Sequence, residues 1–220
     1  MKPIVIFGAG EIAEVVAFYL RSDAGREVAA FTVDRAFINE QTFCGKPVIP
    51  FDEITESCPP DRCEMMVAMG YSGVNRVRTE KFLAAKAAGY FCGSYISSQA
   101  CVAGNVRMGE NCLIFEHNTV QPFSVIGDNV TLWSGNHVGH HVSIGNHCFI
   151  ASHVVISGGV SIGEACFIGV NATIRDHVRV GARCVIGAGA LLLSDAEPEG
   201  VYLGTATERS RVPSSRLRKI

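Results

Sequence analysis

Between Ile96 and Ile186 an aliphatic side chain or a methionine recurs at every sixth position, without an insertion or a deletion. A period of six fits neither an amphipathic helix nor an alternating strand. It predicts a parallel β-helix, in which three short strands complete one turn of about eighteen residues. The positions that we expect to point into this coil are Ile96, Val102, Met108, Ile114, Val120, Ile126, Leu132, Val138, Ile144, Ile150, Ile156, Ile162, Ile168, Ile174, Val180 and Ile186.

The fifth position of each hexad carries a small residue, and four of the nine cysteines stand there. Cys112, Cys148, Cys166 and Cys184 differ by multiples of eighteen, with Val130 filling the remaining place in the series. An unpaired cysteine packs as a small hydrophobic residue, so we expect a ladder of buried free thiols. A linear ladder does not offer zinc the tetrahedral set of ligands that it needs.

Residues 1–95 follow a different pattern, in which strands and helices alternate, and this predicts a small α/β Rossmann-like domain. We expect strands at Pro3–Phe7, Glu27–Asp34, Met65–Met69 and Tyr90–Ile96, helices at Glu11–Arg21, Asp52–Ser57 and Gly73–Ala88, and a loop at Lys46–Pro50. The predicted division is therefore an α/β domain at 1–95, a β-helix at 96–206 and a basic tail at 207–220.

A glycine turn, Gly8-x-Gly10-x-x-Ala13, follows the first strand and opens the first helix. Such a turn lets the backbone approach a phosphate at a helix N-terminus. The ends of the second and third strands lie at the same edge, where ligands bind in open α/β sheets. The short domain favours a single nucleotide, and the alternative is a turn that only packs helix on strand. The candidate binding residues are Gly8, Gly10, Glu11, Ile12, Asp34, Arg35, Gly70, Asn75 and Arg76.

Six of the seven histidines lie between residues 117 and 153. One interpretation is a metal centre like that of the hexapeptide-repeat carbonic anhydrases, but its spacing would require a histidine where Gly158 stands. A second is a general base, since imidazole exchanges a proton near neutral pH. A third is a corner residue that fills a turn, which we favour for His117, His147 and His177. No metal is expected.

Further motifs extend over both parts of the chain: Ile6–Gly10, Phe31–Asp34, Gly45–Val48, Met69–Gly70, Val138–Gly145, Ser161–Gly163, Phe167–Ala172, Gly187–Ala190 and Gly200–Gly204. In these motifs the chain resembles the NeuD/PglD-type bacterial sugar acetyltransferases. The resemblance implies a homotrimer whose N-terminal domain binds a nucleotide-linked sugar. It also implies that acetyl-CoA lies in the groove between adjacent β-helices.

The family pattern also implies roles for individual residues. The resemblance implies that the β-helix is left-handed. In this family a histidine followed by an acidic residue supplies the general base; the pattern places the histidine at His140, and His141 stands where the acidic residue is expected. Asn136 and His137 become further candidates for contact with the acceptor. The acetyl-CoA groove would be lined by Gly158, Val170, Asn171, Gly187 and Ala188, with the Gly158 N–H suited to the oxyanion. The arginines and lysine of the tail, Arg209, Arg211, Arg216, Arg218 and Lys219, are either solvated or in contact with CoA phosphates.

The resemblance thus implies an acetyl-CoA-dependent N-acetyltransferase that acts on a nucleotide-linked amino-sugar by direct transfer. An O-acetyltransferase of the sialic-acid type and a non-catalytic trimeric binding protein are the alternatives, with a zinc hydrolase a further one. A net charge of −2 gives no indication of a nucleic-acid partner. No apolar run reaches the ~18 residues of a membrane span, and the N-terminus reads as a buried strand rather than a signal peptide. We expect a cytoplasmic protein.

Overall fold

The computed structural model describes residues 1–216, so Arg218 and Lys219 of the predicted tail lie outside the described residues. The N-terminal part is an α/β unit, and most of the remainder is a parallel β-helix. The α/β unit contains strands β1 (Ile4–Phe7), β2 (Val28–Val33), β3 (Thr42–Phe43), β4 (Lys46–Pro50) and β5 (Glu64–Val67), helices α1 (Glu11–Ser22), α2 (Ile54–Ser57) and α3 (Arg76–Ala87), and 3₁₀ turns at Arg35–Phe37 and Phe51–Glu53.

The five strands form one sheet in the order β3-β4-β2-β1-β5, parallel except for β3. Successive side chains of a strand point to opposite faces, and β1 shows this directly. Ile4 and Ile6 pack against α1, whereas Val5 and Phe7 pack with residues of α2 and α3. The sheet is therefore covered by helices on both faces.

Three predicted boundaries in this unit were wrong. Lys46–Pro50 is a strand rather than a loop, because it pairs with β2. Helix α3 begins at Arg76 rather than Gly73, because Gly73, Val74 and Asn75 all have positive φ. The expected strand at 90–96 reduces to an isolated bridge at Cys92, since Tyr95 and Ile96 already pair within the coil.

The β-helix consists of two-residue strands, three to a turn. They are β6 (Tyr95–Ile96), β7 (Cys101–Val102), β8 (Arg107–Met108), β9 (Leu113–Ile114), β10 (Thr119–Val120), β11 (Val125–Ile126), β12 (Thr131–Leu132), β13 (His137–Val138), β14 (Ser143–Ile144), β15 (Phe149–Ile150), β16 (Val155–Ile156), β17 (Ser161–Ile162), β18 (Phe167–Ile168), β19 (Thr173–Ile174), β20 (Arg179–Val180), β21 (Val185–Ile186), β22 (Leu191–Leu192) and β23 (Val201–Tyr202). A 3₁₀ turn at Ser214–Arg216 follows. Partners along each sheet are eighteen residues apart, as in Thr119–His137–Val155, except that Val185 of β21 pairs with Val201 of β23. The arrangement fits the predicted left-handed parallel β-helix.

The strands stack into three parallel sheets. The sheet β6-β9-β12-β15-β18-β21-β23 is called the docked sheet below; the other two are β7-β10-β13-β16-β19-β22 and β8-β11-β14-β17-β20. The turns between strands stack into three columns. The first corner comprises 116–117, 134–135, 152–153, 170–171 and 188–189; the second comprises 122–123, 140–141, 158–159 and 176–177; the third comprises 110–111, 128–129, 146–147, 164–165 and 182–183. The docked sheet lies between the first and third corners, so the second corner is opposite it.

The interior of the coil follows the predicted register. The leading residues are buried from Ile114 onward, and Cys112, Cys148, Cys166 and Cys184 are fully buried in the same core. All nine cysteines are free, so the predicted thiol ladder is confirmed. Burial raises the pKa of Cys112 to about 11, which keeps this thiol protonated and unreactive. Ile96 is the exception to the register: it is 46% exposed because the terminal rung has a neighbour on one side alone.

The fourth position of each hexad is left-handed. Every sixth residue from Asn111 to Gly189 has φ between 54° and 78°. Among non-glycine residues Asn and His are enriched in this conformation. His117, His141, His147, His153 and His177 all occupy this position, so most of the histidine cluster is explained by corner geometry.

Glycine at the second position allows adjacent rungs to approach. A Cβ on Gly163 would lie 2.6 Å from the backbone nitrogen of Ala182 in the next rung. We expect Gly163→Ala to destabilise the coil by about 1–3 kcal/mol through overpacking, lowering the thermal midpoint by about 2–4 °C per kcal/mol. Gly104→Ala is the control, because no atom lies within 4 Å of its Cβ position. Equal midpoints for the two variants would contradict this account.

The α/β unit covers the docked sheet. Helix α1 and strand β1 share a core with Tyr95, Leu113 and Phe115. Tyr71 stacks on Phe149 and Phe167, with ring centroids 5.0 Å and 4.4 Å apart. The second corner therefore faces away from the α/β unit of its own chain.

Arg78 joins the α/β unit to the third corner. It is 1% exposed, and its guanidinium donates to the backbone oxygens of Asn129, His147 and Cys148 and to the side-chain oxygen of Asn75. Within residues 1–216 no carboxylate forms an ion pair with it, and burial lowers the pKa of Arg78 to about 10. Asn111 extends the network from Asn129 to the backbone of Val67, at the end of β5.

Candidate active site

A cavity of about 540 Å³ opens at the carboxyl ends of β1, β2 and β5. Parallel strands present their ligands at this edge. The lining residues all belong to the α/β unit and are Phe7, Gly8, Ala9, Gly10, Glu11, Ile12, Val33, Asp34, Phe37, Ala68, Met69, Gly70, Val77 and Lys81. Six predicted nucleotide-binding residues are thus brought together in one cavity, namely Gly8, Gly10, Glu11, Ile12, Asp34 and Gly70.

The two glycines of the turn, Gly8 and Gly10, are needed for different structural reasons. Gly8 has φ of 130°, and a Cβ there would lie 2.6 Å from the carbonyl oxygen of Ala68. Gly10 has open space at its Cβ position and precedes the first residue of α1, where no side chain caps the helix. The free N–H groups of a helix N-terminus attract anions. Gly8 therefore shapes the turn, while Gly10 leaves room for a phosphate.

Lys81 supplies a cation that the sequence did not reveal. Its ammonium nitrogen lies 2.6 Å from an Asp34 oxygen and 5.7 Å from the centre of the Phe7 ring. The lysine comes from α3, forty-seven positions along the chain from its partner. The cavity thus combines a carboxylate, an ammonium group and a helix N-terminus.

Three predicted binding residues lie outside this cavity, and these expectations are corrected. Arg35 is exposed and paired with Asp52 and Glu53. Arg76 is exposed and paired with Glu80, one turn further along α3. Asn75 is fully buried, and its amide donates to the carbonyl oxygens of Ala165 and Cys166. Its side chain is engaged with the coil and does not face the cavity.

His140 lies on the second corner above Gly158. Its Nε2 is 2.8 Å from the position that a Cβ of Gly158 would occupy, so the imidazole fills the space that the glycine leaves. Its Nδ1 is 3.1 Å from Nδ1 of His141, and its backbone N–H donates to Gln121 Oε1 at 2.9 Å. Both imidazoles are exposed. An exposed imidazole beside a small notch is suitably placed for proton transfer to a bound reactant.

Asn136 does not contact a substrate surface. It is 1% exposed, its amide donates to Trp133 O, and its Oδ1 accepts from the N–H of Val154. It occupies the fifth hexad position, like the cysteines, and the register therefore turns it inward. The expectation for Asn136 is corrected. His137 is half-buried and lies in the sheet β7-β10-β13-β16-β19-β22, next to the second corner.

Glu116 cannot serve as the acidic partner of His140 within one chain. It stands on the first corner, accepts from Ser134 Oγ at 2.6 Å and has one oxygen buried without a partner. His140 stands on the second corner. His141 is thus the group that contacts His140.

The residues expected to line the acetyl-CoA groove are divided between two corners. Val170, Asn171 and Ala188 stack on the first corner, with Gly187 beside them. All three stacked residues are exposed. Gly158 is on the second corner beneath His140. One chain alone does not bring these two groups together.

Within residues 1–216, no set of three or more His, Cys, Asp and Glu side chains is placed to hold a metal ion. The described part of the chain also has no helix that is long and apolar enough to cross a membrane.

A family model described as bacterial transferase hexapeptide (six repeats) matches residues 123–158 and 159–194. Three solved structures match both parts of the chain. PerB from Caulobacter crescentus, in complex with CoA and GDP-perosamine, is 29% identical, with a TM-score of 0.83 over 93% of this chain and 95% of that chain. The perosamine N-acetyltransferase of that organism, with a histidine replaced by asparagine, is 28% identical, with a TM-score of 0.84 over 93% of this chain and 94% of that chain. The acetyltransferase domain of PglB from Neisseria gonorrhoeae is 28% identical, with a TM-score of 0.82 over 93% of this chain and 97% of that chain.

The chain thus contains bacterial transferase hexapeptide repeats, and its structure is similar to those of CoA-dependent sugar N-acetyltransferases. The predicted resemblance is thereby confirmed. A search among curated proteins found no match. The matches to the solved structures extend over 93% of the chain, and so over both the α/β unit and the coil.

Proposed function

We propose that this acyltransferase moves the acetyl group of acetyl-CoA to the amine of a nucleotide-linked amino-sugar, with His140 as general base. The observation that carries the proposal is the pairing of a phosphate-suited cavity in the α/β unit with an exposed imidazole on a hexapeptide coil. The similar PerB structure contains CoA and GDP-perosamine, a nucleotide-linked sugar, which supports this substrate class.

The nucleotide occupies the Rossmann-like cavity. Its phosphates lie at the N-terminus of α1, over Gly10, Glu11 and Ile12, where backbone N–H groups are free. Asp34 accepts from a ribose hydroxyl, the role that an acid at the end of the second strand commonly fills. Gly70 also lines the cavity.

The site is completed by a second copy of the chain. The cavity opens in the α/β unit, which covers the docked sheet, while His140 stands on the opposite corner. The sugar in one chain's cavity therefore reaches His140 of a neighbour in a homotrimer. The same packing brings the first corner of one coil, with Val170, Asn171 and Ala188, against the second corner of the next, with Gly158. Acetyl-CoA lies between them, and His137 contacts the acceptor from the adjoining sheet.

The transfer is direct. The amine nitrogen attacks the thioester carbonyl, and its proton passes to Nε2 of His140. The oxyanion accepts a hydrogen bond from the backbone N–H of Gly158, for which no residue in 1–216 provides an acceptor. The carbon–sulfur bond then breaks, and the proton moves from His140 to the sulfur of CoA. The thiol ladder of Cys112, Cys148, Cys166 and Cys184 is buried and is not used as a nucleophile.

Lys81 contributes to nucleotide binding, because its ammonium group faces the cavity beside Asp34. We expect Lys81→Met to raise the KM for the nucleotide-sugar about tenfold, or 1.4 kcal/mol, with kcat little changed. Lys86→Met is the matched control, since Lys86 lies on the same helix and pairs with Glu110, away from the cavity. Equal effects of the two variants on KM would remove Lys81 from the site.

The proposal is tested with a panel of UDP-, GDP- and dTDP-linked amino-sugars, each incubated with acetyl-CoA and followed by mass spectrometry. A mass increase of one acetyl group on at least one amine is expected. Acetylation of free sugars alone, at a hydroxyl, would favour an O-acetyltransferase instead. The absence of acetyl-CoA binding by calorimetry would contradict any acetyl transfer.

A further inference from the structure

We propose that His141 is a positioning residue that holds His140 in its base-competent tautomer as a neutral hydrogen-bond acceptor, and that Phe123 holds His141 in turn. This inference rests on the proposed function of His140. It concerns the position at which this chain departs from the His–acid pattern of its relatives.

The tautomers follow from the contact between the two rings. The Nδ1 atoms of His140 and His141 are 3.1 Å apart, so one must donate and the other accept. Nε2 of His140 lies over the Gly158 notch and needs a free lone pair in order to take a proton. The proton of neutral His140 is therefore on Nδ1, and it is donated to Nδ1 of His141. His141 then carries its own proton on Nε2.

The geometry of His141 suits an acceptor with a fixed direction. Its backbone is left-handed with φ of 57°, and its ring stands at 85° to the ring of His140. This perpendicular arrangement places the edge of one ring against the other. A neutral acceptor fixes the orientation of the base without adding a negative charge.

Phe123 is an aromatic residue that contacts His141. It is 61% exposed on the second corner, directly one rung before His141, and stacks on that imidazole with centroids 4.9 Å apart and planes at 27°. Its backbone N–H donates to Asn105 Oδ1. The hydrogen bond anchors the backbone of Phe123, and the exposed phenyl ring stacked on the imidazole of His141 restricts the rotation of that imidazole.

The backbone of the pair is held by the rungs on either side. The N–H of His141 donates to Pro122 O at 3.2 Å, and the N–H of Gly159 donates to His140 O at 2.9 Å. The Gln121 amide accepts from the His140 N–H. Changes at side chain 141 therefore alter the orientation of the imidazole of His140 more than the position of its backbone.

The experiment compares His141→Phe with His141→Asn. Both fit the corner, since Phe123 and Asn129 adopt the same left-handed conformation eighteen and twelve residues earlier. Phenylalanine cannot accept a hydrogen bond, so we expect kcat to fall about 10- to 100-fold while the KM for acetyl-CoA stays unchanged. Asparagine offers an acceptor oxygen and is expected to recover most of that loss. His117→Phe, the same change at the same hexad position on the first corner, is the control without effect.

A spectroscopic measurement separates orientation from folding. In histidine-labelled protein at mildly alkaline pH, ¹⁵N shifts should report the Nδ1–H tautomer at His140, and this signal should change in His141→Phe and in Phe123→Leu but not in His117→Phe. An unchanged tautomer, or equal kcat for His141→Phe and His141→Asn, would overturn the inference. If His140→Ala is inactive while His141→Phe is fully active, this inference alone fails. If His140→Ala is fully active, the proposed base fails with it.

Discussion

Replacing His140 with alanine is expected to lower kcat by about 10²–10⁴-fold, the usual contribution of a positioned general base. The amine of an amino-sugar must lose a proton as it attacks the thioester, and His140 offers the exposed imidazole nitrogen above the Gly158 notch. The KM for acetyl-CoA should change little, because the pantetheine arm is expected to run along other residues. Single-turnover acetylation, measured by mass spectrometry at saturating substrate, isolates the chemical step.

His117→Ala is the matched control for this change. It removes an exposed corner imidazole from the same coil, on the first corner rather than the second. A His140→Ala enzyme that turns over at a near-normal rate would remove His140 from the mechanism. Loss of acetyl-CoA binding in the same variant would instead indicate a role in the binding groove.

Replacing Arg78 with alanine is expected to destabilise the folded chain by about 2–4 kcal/mol. The guanidinium satisfies several buried oxygens between α3 and the third corner, and each acceptor left unpaired costs about 1–3 kcal/mol. The substitution also removes the free-energy cost of burying a cation without a counter-ion, and this gain offsets part of the destabilisation. At about 2–4 °C per kcal/mol, the thermal midpoint should fall by roughly 5–15 °C.

Arg76→Ala is the control, because Arg76 lies two positions earlier, is exposed and forms one i,i+4 ion pair. Such a pair is worth about 0.3–0.5 kcal/mol. Arg78→Lys should fall between the two, since an ammonium group lacks the planar fork that reaches separate acceptors. A midpoint for Arg78→Ala equal to that of Arg76→Ala would show that the network contributes nothing net.

Counting in sixes predicted the coil, because each rung repeats the same backbone. The count placed the cysteines inside, and it should also have placed Asn136 inside, since that residue holds the same fifth position. Its polar side chain suggested a binding role, but a buried amide satisfied by Trp133 O and the Val154 N–H is a structural part of a corner. Position in the repeat was the stronger signal.

The cavity was partly predictable for a similar reason. Gly8, Gly10 and Asp34 follow strands, and the ends of parallel strands meet at one edge. Lys81 and Arg78 were not predictable, because both act across elements that no local pattern relates. Asn75 was misassigned because its loop leads toward the coil as well as toward the cavity, and the sequence does not show which surface a side chain meets.

The Arg78 network also fixes the position of the α/β unit along the axis of the coil. Arg78 binds the coil at Asn129 and His147, and His140 lies between these two residues within a single rung. Helix α3 also contributes Val77 and Lys81 to the cavity lining, so the network holds one wall of the cavity at a fixed level along a coil whose rungs stack about 4.8 Å apart. Copies related by an axis parallel to the coil would share that level. An insertion of a whole rung of eighteen residues beyond Val180 would not change the alignment of the α/β unit with His140. A rung inserted between residues 129 and 147 would displace the sugar from the imidazole by more than a bond length. The Arg78 contacts thus determine which rung of the coil lies beside the α/β unit.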